Sequence, residues 1–575
     1  MKKFSKKRGQ KVLKQLSNLS EEAAFYSEEH IKENFLRRLS HVGDVRLFVL
    51  EWALIILALF MLAITQSLWF SDSYSVSAFT TGGTYTEATL GKVNSLNPLF
   101  ASTNSEKALA KLLFLGLTAS DSSGHIGNVL AESVSSDGSG KVWTVKLREN
   151  LKWSDGEPLT NDDVIFTANL IKNVNVSSNY YSNLNRVEIR TDDSGNLIFE
   201  LPAVYIEFDS ALDFPILPKH ILEGIDPANL LDSSFSTNPV SSGPFAFNAS
   251  QAVGTTGESV VYLVSNENYY RGRSKIDSFV VHAYTSTDDI KTALNSDVVS
   301  ATAELLPTDA ADITDKTIYE KQTAINSGVF MFMNTRSGVL KNRDVRKAVQ
   351  QGIDVGEVRT LVGDELALDY PILKSQLELP SWPELPALNV EAAKSVVSGL
   401  ENKNINLVTI NTGYFPSLAE DIAGQLENLG FSVSKTYYDP GQDFVVNVIA
   451  NRAYDVLIYE VDLGANPDLL VYYHSSQASQ SGLNLSNYNS SVADDLILSA
   501  RESSSEEIKT SKYEAFLKRW VEDAPAIGLY QVNMSYYFDR DVKTFSEDVS
   551  LVTPFDRFVD VKYWSAEKAR KNRTP

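Results

Sequence analysis

Leu47 to Phe70 reads LFVLEWALIILALFMLAITQSLWF, an apolar run whose one charge, Glu51, stands close to its start. About 20 predominantly apolar residues suffice to cross a bilayer as a helix. A helix is required there because hydrocarbon offers no partner to backbone N–H and C=O groups. Trp52, Trp69 and Phe70 lie near the two ends of the run, as an aromatic belt demands. A buried core helix is the competing reading, but a soluble helix of this length would show a polar face. Flanking charge sets the orientation. Residues 1–46 carry 11 Lys and Arg against 6 Asp and Glu, and the first Lys or Arg after Phe70 is Lys92. Positive charge stays inside, so a cytoplasmic N-terminal segment is expected at 1–46, a single-pass transmembrane anchor at 47–70, and the rest outside the cell membrane. A cleaved signal peptide is the alternative: SVSA at Ser75–Ala78 suits a cleavage site, although the apolar run starts late for one.

The 575 residues allow two or three domains with a sizeable core. Cys is absent, which excludes disulfides, thiol catalysis, thiolate metal sites and a lipid anchor on Cys. Net charge is −21. Because the first 46 residues hold +5 and Glu51 adds one negative charge, the outer part carries about −25. A surface of that sign repels nucleic acid, and most of its charge serves solubility.

Beyond a Ser/Thr-rich linker at 71–81, strand and helix patterns alternate to the C-terminus. A helix is expected from Ser105 to Leu117 on the spacing of Leu109, Leu112, Leu113 and Leu117, with others at 343–351, 389–397, 416–429 and 506–520. Alternation over some 490 residues predicts α/β lobes. The final residues, 566–575, are polar and basic and are expected to be disordered. LKWSDGEPLTNDDV, Leu151–Val164, holds four carboxylates in fourteen residues around a Trp and a Gly. It lacks the Asp-x-Asp/Asn-x-Asp/Asn-Gly spacing of a calcium loop. Ser154-Asp155-Gly156 makes a turn, and Thr160 followed by Asp163 makes a capping box with the Thr hydroxyl accepting a backbone N–H, so the stretch is structural. GSGKV, Gly138–Val142, is not a phosphate loop, since Ser135 and the residue after Lys141 break the pattern.

Enzyme signals are missing. The four His beyond the apolar run, at 125, 220, 282 and 474, show no metal-ligand spacing, and no nucleophile–base or dinucleotide motif is present. The segment from Tyr454 to Ser476, YDVLIYEVDLGANPDLLVYYHSS, looks recruited for binding. An apolar strand runs into a loop with Asp462, Gly464, Asn466-Pro467 and Asp468, and ligands of open α/β lobes sit beyond the carboxyl ends of strands. An Asp there receives a ligand cation or caps the helix that starts near Pro467. The local sequence leaves both open.

Several blocks then occur in one order. They are LAESVSSDGSGKVWTVKLRENLKWSDGEPLTNDDVIFTANLI, NPVSSGPF at Asn238–Phe245, NENYYRGRSKIDS, FMNTRSG with NRDVRKAVQQGID, and APAIGLYQ at Ala524–Gln531. In these the chain resembles the extracytoplasmic solute-binding proteins of ABC importers, the oligopeptide/dipeptide/nickel class known as solute-binding family 5, from about Gly82 to Asp560. The resemblance implies an α/β, two-lobed periplasmic-binding-protein-like (type II) fold with an extra subdomain, here preceded by one N-terminal transmembrane helix. Lobe I is expected at 82–283 with a return at 526–565, and lobe II at 284–525. It further implies a non-enzymatic, monomeric receptor that passes oligopeptides or similar small polar solutes to a membrane permease; no cofactor is expected, and the His placement gives no support to nickel or another metal. Peptide-binding relatives hold the peptide's α-ammonium with an Asp in a Trp-x-x-Asp-x-x-acid-Pro segment. Tyr459 stands at the Trp position and Asp462 at the Asp, while Asn466 replaces the acid after one extra residue. The implied ligand-binding residues are Asp462, Tyr459 and Glu460, with Thr103 from FASTNSE on the other side of the cleft. A ligand-sensing surface receptor is the alternative on the same fold. It would use a helix from Ser20 to Leu39, although no signalling domain is recognisable there.

Overall fold

The computed structural model describes residues 46–572, apart from 122, 364–365, 440–443, 481 and 547–548. The expected cytoplasmic segment, with its helix at 20–39, lies outside the described residues but for Arg46. The chain divides into two compact units, the second of which is Phe79–Lys568.

The first unit holds the helix Arg46–Tyr74. Its window Phe48–Ser67 is 20 residues long, apolar and wholly unburied. At 1.5 Å per residue it matches the roughly 30 Å of bilayer hydrocarbon. By length and composition it can cross a membrane, and a signal sequence meets the same test. The Thr65 hydroxyl donates back to the Met61 and Leu62 carbonyls at 2.9 Å, so this polar group is satisfied within the helix. The helix takes up the start of the expected linker. Ser75–Thr80 and Glu567–Asn572 then form a two-stranded sheet, where a linker and a disordered tail were expected. Strand pairing of this kind is made by the main chain, which composition does not register.

In the second unit ten strands form one sheet. Their order is Ser432–Tyr438, Asn404–Ile410, Val456–Asp462, Ile318–Met333, Ala526–Asp539, Ala301–Thr302, Thr84–Leu90, Ser278–Tyr284, Glu258–Ser265 and Phe245–Val253. The second lobe lies at the first end of this order and the first lobe at the other. Val329, Met331 and Met333 enter one core and Phe330 and Phe332 another, so this part of the sheet is covered on both faces and its strands read as continuous apolar runs. The helix Phe415–Leu429 joins parallel neighbours Asn404–Ile410 and Ser432–Tyr438, burying Leu418, Ile422, Leu426 and Leu429 at helical spacing. The first lobe's core also takes in a four-stranded antiparallel sheet, Ala131–Ser136, Val142–Leu147, Leu197–Glu200 and Glu188–Thr191.

The two long strands cross between lobes. Ile318–Ala324 pair with Asn533–Asp539, the register then shifts, and Gly328 pairs with Gln531. Ile325 and Met534 belong to the first lobe's core, Val329 and Leu529 to the second's. The crossings therefore fall at 325–328 and 531–533, not at the expected 284 and 526. The helix Thr287–Asn295 explains the first difference. Its Ile290, Ala293 and Leu294 pack with Ala88 and Tyr537. Alternation of strand and helix shows where elements are but not which sheet they join.

The acid-rich stretch is structural. Trp153 is wholly buried, and its backbone N–H donates to the Glu157 carbonyl at 2.8 Å. The buried Asp163 carboxylate accepts from Thr160 N–H and from Lys219 N–H, both at 2.8 Å. Asp155 meets His220 at 2.9 Å and Asp162 meets Lys219 at 3.0 Å. Thr160 and Asp163 form a capping box at the helix start, and the Thr160 hydroxyl also lies 3.3 Å from the Asp163 carboxylate. The expected Ser105–Leu117 helix is Asn104–Leu113, after which the chain extends and still buries Leu117.

Gly243, in NPVSSGPF, lies where two backbones meet. Its N–H donates to the Leu113 carbonyl at 2.7 Å, and a Cβ there would stand 2.5 Å from the Leu112 oxygen. Backbone cannot rotate away as a side chain can. Gly243→Ala is expected to destabilise the second unit by about 1–3 kcal/mol, read as a lower urea midpoint at unchanged slope.

Candidate ligand cleft

The strand Val456–Asp462 is buried because it lies inside the sheet, parallel to Asn404–Ile410 and antiparallel to Ile318–Met333. Its alternation puts Glu460 and Asp462 on one face and Tyr459 and Val461 on the other. At its carboxyl end the chain turns through Gly464, whose φ of +69° suits glycine, and the Gly464 N–H donates to Asp462 Oδ1 at 2.8 Å. Neighbours hold this loop in place. Gln376 donates to the Leu463 and Gly464 carbonyls at 2.9 and 2.8 Å, Asn326 to Gly464 at 2.9 Å, and the Tyr472 hydroxyl to the Asp462 carbonyl at 2.6 Å. Asp462 Oδ2 has no hydrogen-bond partner among the described residues.

Asp462 lines a cavity of about 810 Å³ between the lobes. That size falls within the range of small-molecule and cofactor sites. Lys111, Asp213 and Asp556 line it from the first lobe, and Asp468, Tyr472 and Arg501 from the second. Lys111 lies 3.0 Å from Asp556, which also caps Thr553 N–H at 2.7 Å. The Lys111 ammonium is desolvated, but the charges of Asp556 and Asp213 outweigh that and raise its pKa. Burial pushes Asp213 up, and Lys111 only partly offsets it.

Desolvation likewise pushes Asp462 up to about 6, against the hydrogen bond from Gly464, with further upward pushes from Asp556, Asp213 and Glu460. By accessible area Asp462 is exposed, yet its carboxyl behaves as desolvated. Burial and the three carboxylates all push this pKa in the same direction.

Asp462 is the one expected site residue among those lining this cavity. Glu460 accepts from the Ser327 hydroxyl at 2.5 Å, and burial raises its pKa. Tyr459 packs on Phe444 with ring centroids 5.6 Å apart. The Thr103 hydroxyl accepts Glu106 N–H at 3.2 Å and donates to the Lys92 carbonyl at 2.9 Å, which commits it to capping the helix Asn104–Leu113. Sequence reasoning did not reach Lys111, Asp213 or Asp556. Each comes from a different segment, and no local pattern marks it. Among the described residues no group of three or more His, Cys, Asp or Glu is arranged to hold a metal ion.

Comparison with known proteins supplies the context. The description "Bacterial extracellular solute-binding proteins, family 5 Middle" matches residues 125–482, well over half of the chain. The oligopeptide-binding protein AppA of Bacillus subtilis is 26% identical over 527 residues, covering 84% of this chain and 92% of AppA. The solved structure of that AppA with a nonapeptide superposes with a TM-score of 0.72 at 22% identity, over 85% of this chain and 99% of its own. NikZ from Campylobacter jejuni with Ni(L-His) gives 0.72 at 21% identity, over 84% and 99%. DppA from Helicobacter pylori with the peptide STSA gives 0.73 at 18%, over 85% and 99%. At these identities the superpositions show a shared two-lobed fold, and the bound molecules belong to those proteins.

Proposed function

Because the chain belongs to the family 5 bacterial extracellular solute-binding proteins, we propose that its outer unit captures short peptides for an ABC importer, with Asp462 receiving the peptide's α-ammonium. The observation that carries this reading is the Asp462 carboxylate at a strand end, one oxygen tied to Gly464 and the other toward an interlobe cavity. A cation entering there meets Asp213 and Asp556 as well as Asp462, with Lys111 as the nearby opposite charge. Two lobes closing over a peptide exclude bulk water, which strengthens each polar contact. Peptide backbone contacts need no particular side chain from either partner, so a cleft of this kind accepts many sequences. Catalysis is not part of the reading, since the family consists of solute-binding proteins.

The helix Arg46–Tyr74 fits a membrane anchor that keeps the binding unit beside its permease. N-terminal sequencing of the protein recovered from membranes separates the anchor, which leaves Met1 or its neighbour at the N-terminus, from a signal sequence, which leaves a start near Phe79. Native mass spectrometry of residues 79–575, purified without added ligand and then denatured, tests the peptide reading. A ladder of released peptide masses supports it. A single non-peptide mass, or a protein that no peptide library stabilises against heat, ends it.

A further inference from the structure

Tyr205 and Glu207 lie on the segment between the strand Leu197–Glu200 and the turn Phe208–Leu212, whose Phe208 and Leu212 are buried in the first lobe's core. Arg501 ends the helix Ser491–Arg501, and Lys509 lies near the start of the helix Glu506–Asp523. Both helices are packed into the second lobe by Ala500, Tyr513 and Phe516. Across the lobe boundary Lys509 Nζ donates to Glu207 Oε1, between residues 302 apart in sequence, and the two side chains are only 13% and 19% exposed. Beside them the Arg501 guanidinium lies 3.7 Å over the Tyr205 ring. Asp468, on Arg501's own lobe, stands 3.3 Å from its Nε and so orients it from behind.

We propose that Glu207–Lys509 and Tyr205–Arg501 form a clasp by which the chain holds its own lobes closed without help from a ligand. Each pair joins one residue of each lobe, and each is complete as it stands. A half-buried ion pair is screened less than an exposed one, and a planar guanidinium stacked on an aromatic ring loses little freedom on docking. The clasp sets how often the binding-competent state is populated, and apparent affinity scales with that fraction. Tyr205 and Arg501 also line the cavity, whereas Glu207 and Lys509 do not, so the Glu207–Lys509 pair weakens or strengthens all ligands by the same factor and leaves their rank order alone.

The chain has no Cys, so two introduced thiols can be labelled cleanly. Ser194→Cys, on an exposed turn of the first lobe, and Ser398→Cys, on an exposed helix end of the second, carry spin labels in the full chain in detergent. Interlobe distances are read by double electron–electron resonance after unfolding, dialysis and refolding have removed any bound solute, so the result does not depend on what the cleft binds. K509E is expected to shift the closed-to-open ratio toward open by about three- to tenfold. E207K should do the same, and E207K/K509E together should restore the closed distance. Y205L, which keeps the apolar bulk, should give a smaller shift in the same direction. Distance distributions unchanged in K509E, E207K and Y205L, or a charge-swapped pair that stays open while melting as a folded protein, would overturn the clasp.

Discussion

Asp462→Asn is expected to raise the Kd for a peptide by roughly 30-fold to several thousand-fold, about 2–5 kcal/mol. The amide keeps the shape and the contact with Gly464 N–H through its oxygen, and it loses only the charge. Isothermal titration with a peptide and its N-acetylated form isolates the contact. Acetylation should cost the natural protein a comparable factor and the variant little, because the ammonium has then lost its partner in both. If acetylation costs the natural protein nothing, Asp462 does not hold the ammonium.

The same carboxyl sets a pH dependence. A cation binds the ionised form, so affinity should be full above about 6 and fall as the pH drops below it, by close to tenfold per unit. Stability of the ligand-free protein should respond the other way. The folded pKa of this acid lies above the ordinary Asp value of about 4, so the folded state holds the proton more tightly. Its stabilising contribution is present below about 4 and is lost as the pH rises through about 6. Asp462→Asn should remove that slope, leaving the ligand-free variant at neutral pH as heat-stable as the natural protein or more so. Binding lost with stability kept would mark a residue held in a poor environment for its function.

Arg557→Met is expected to destabilise the outer unit by about 3–5 kcal/mol, the largest stability effect of any single substitution considered. Arg557 and Glu87 are 1% and 0% exposed. The guanidinium donates to Glu87 Oε1 through Nη2 at 2.5 Å and Nε at 3.0 Å, and to the Pro554 carbonyl through Nη1 at 2.5 Å. The Tyr85 and Tyr536 hydroxyls lie 3.1 and 3.2 Å from the other carboxylate oxygen and against each other, so two hydroxyl protons are shared among the three oxygens. Removing the Arg leaves a buried carboxylate with two neutral donors. Glu87→Gln with Arg557→Met should therefore cost clearly less than the two single changes added together. Urea unfolding of the four proteins gives the coupling directly. Additive losses would show that the pair does not act as a unit. Because Glu87 is on the first strand of the outer unit and Arg557 near its end, this cluster also ties the C-terminal return to the start of the first lobe.

Much of this protein was written in short stretches of sequence. The run Leu47–Phe70 predicted the long apolar helix, and the helical pattern at 416–429 predicted the helix Phe415–Leu429, because periodic burial is a local property of the chain. Thr160 and Asp163 announced a helix start, and the apolar strand ending at Asp462 announced a loop at a sheet's carboxyl edge. The resemblance of ordered blocks pointed to the two-lobed fold. What stayed hidden was every feature that depends on which strand lies beside which. The first lobe crossing moved from 284 to 325–328 because the helix Thr287–Asn295 packs back on Ala88, and the second from 526 to 531–533 with the register of the paired strand, choices made by tertiary packing. Thr103 carries a polar group suited to a ligand, and only the structure shows its hydroxyl committed to a helix cap. Asp462, Asp213, Asp556 and Lys111 become one electrostatic unit, and Glu207 meets Lys509, only when distant segments converge. Charge interactions fall off with distance in space and are blind to distance along the chain, so folding alone decides which charges meet.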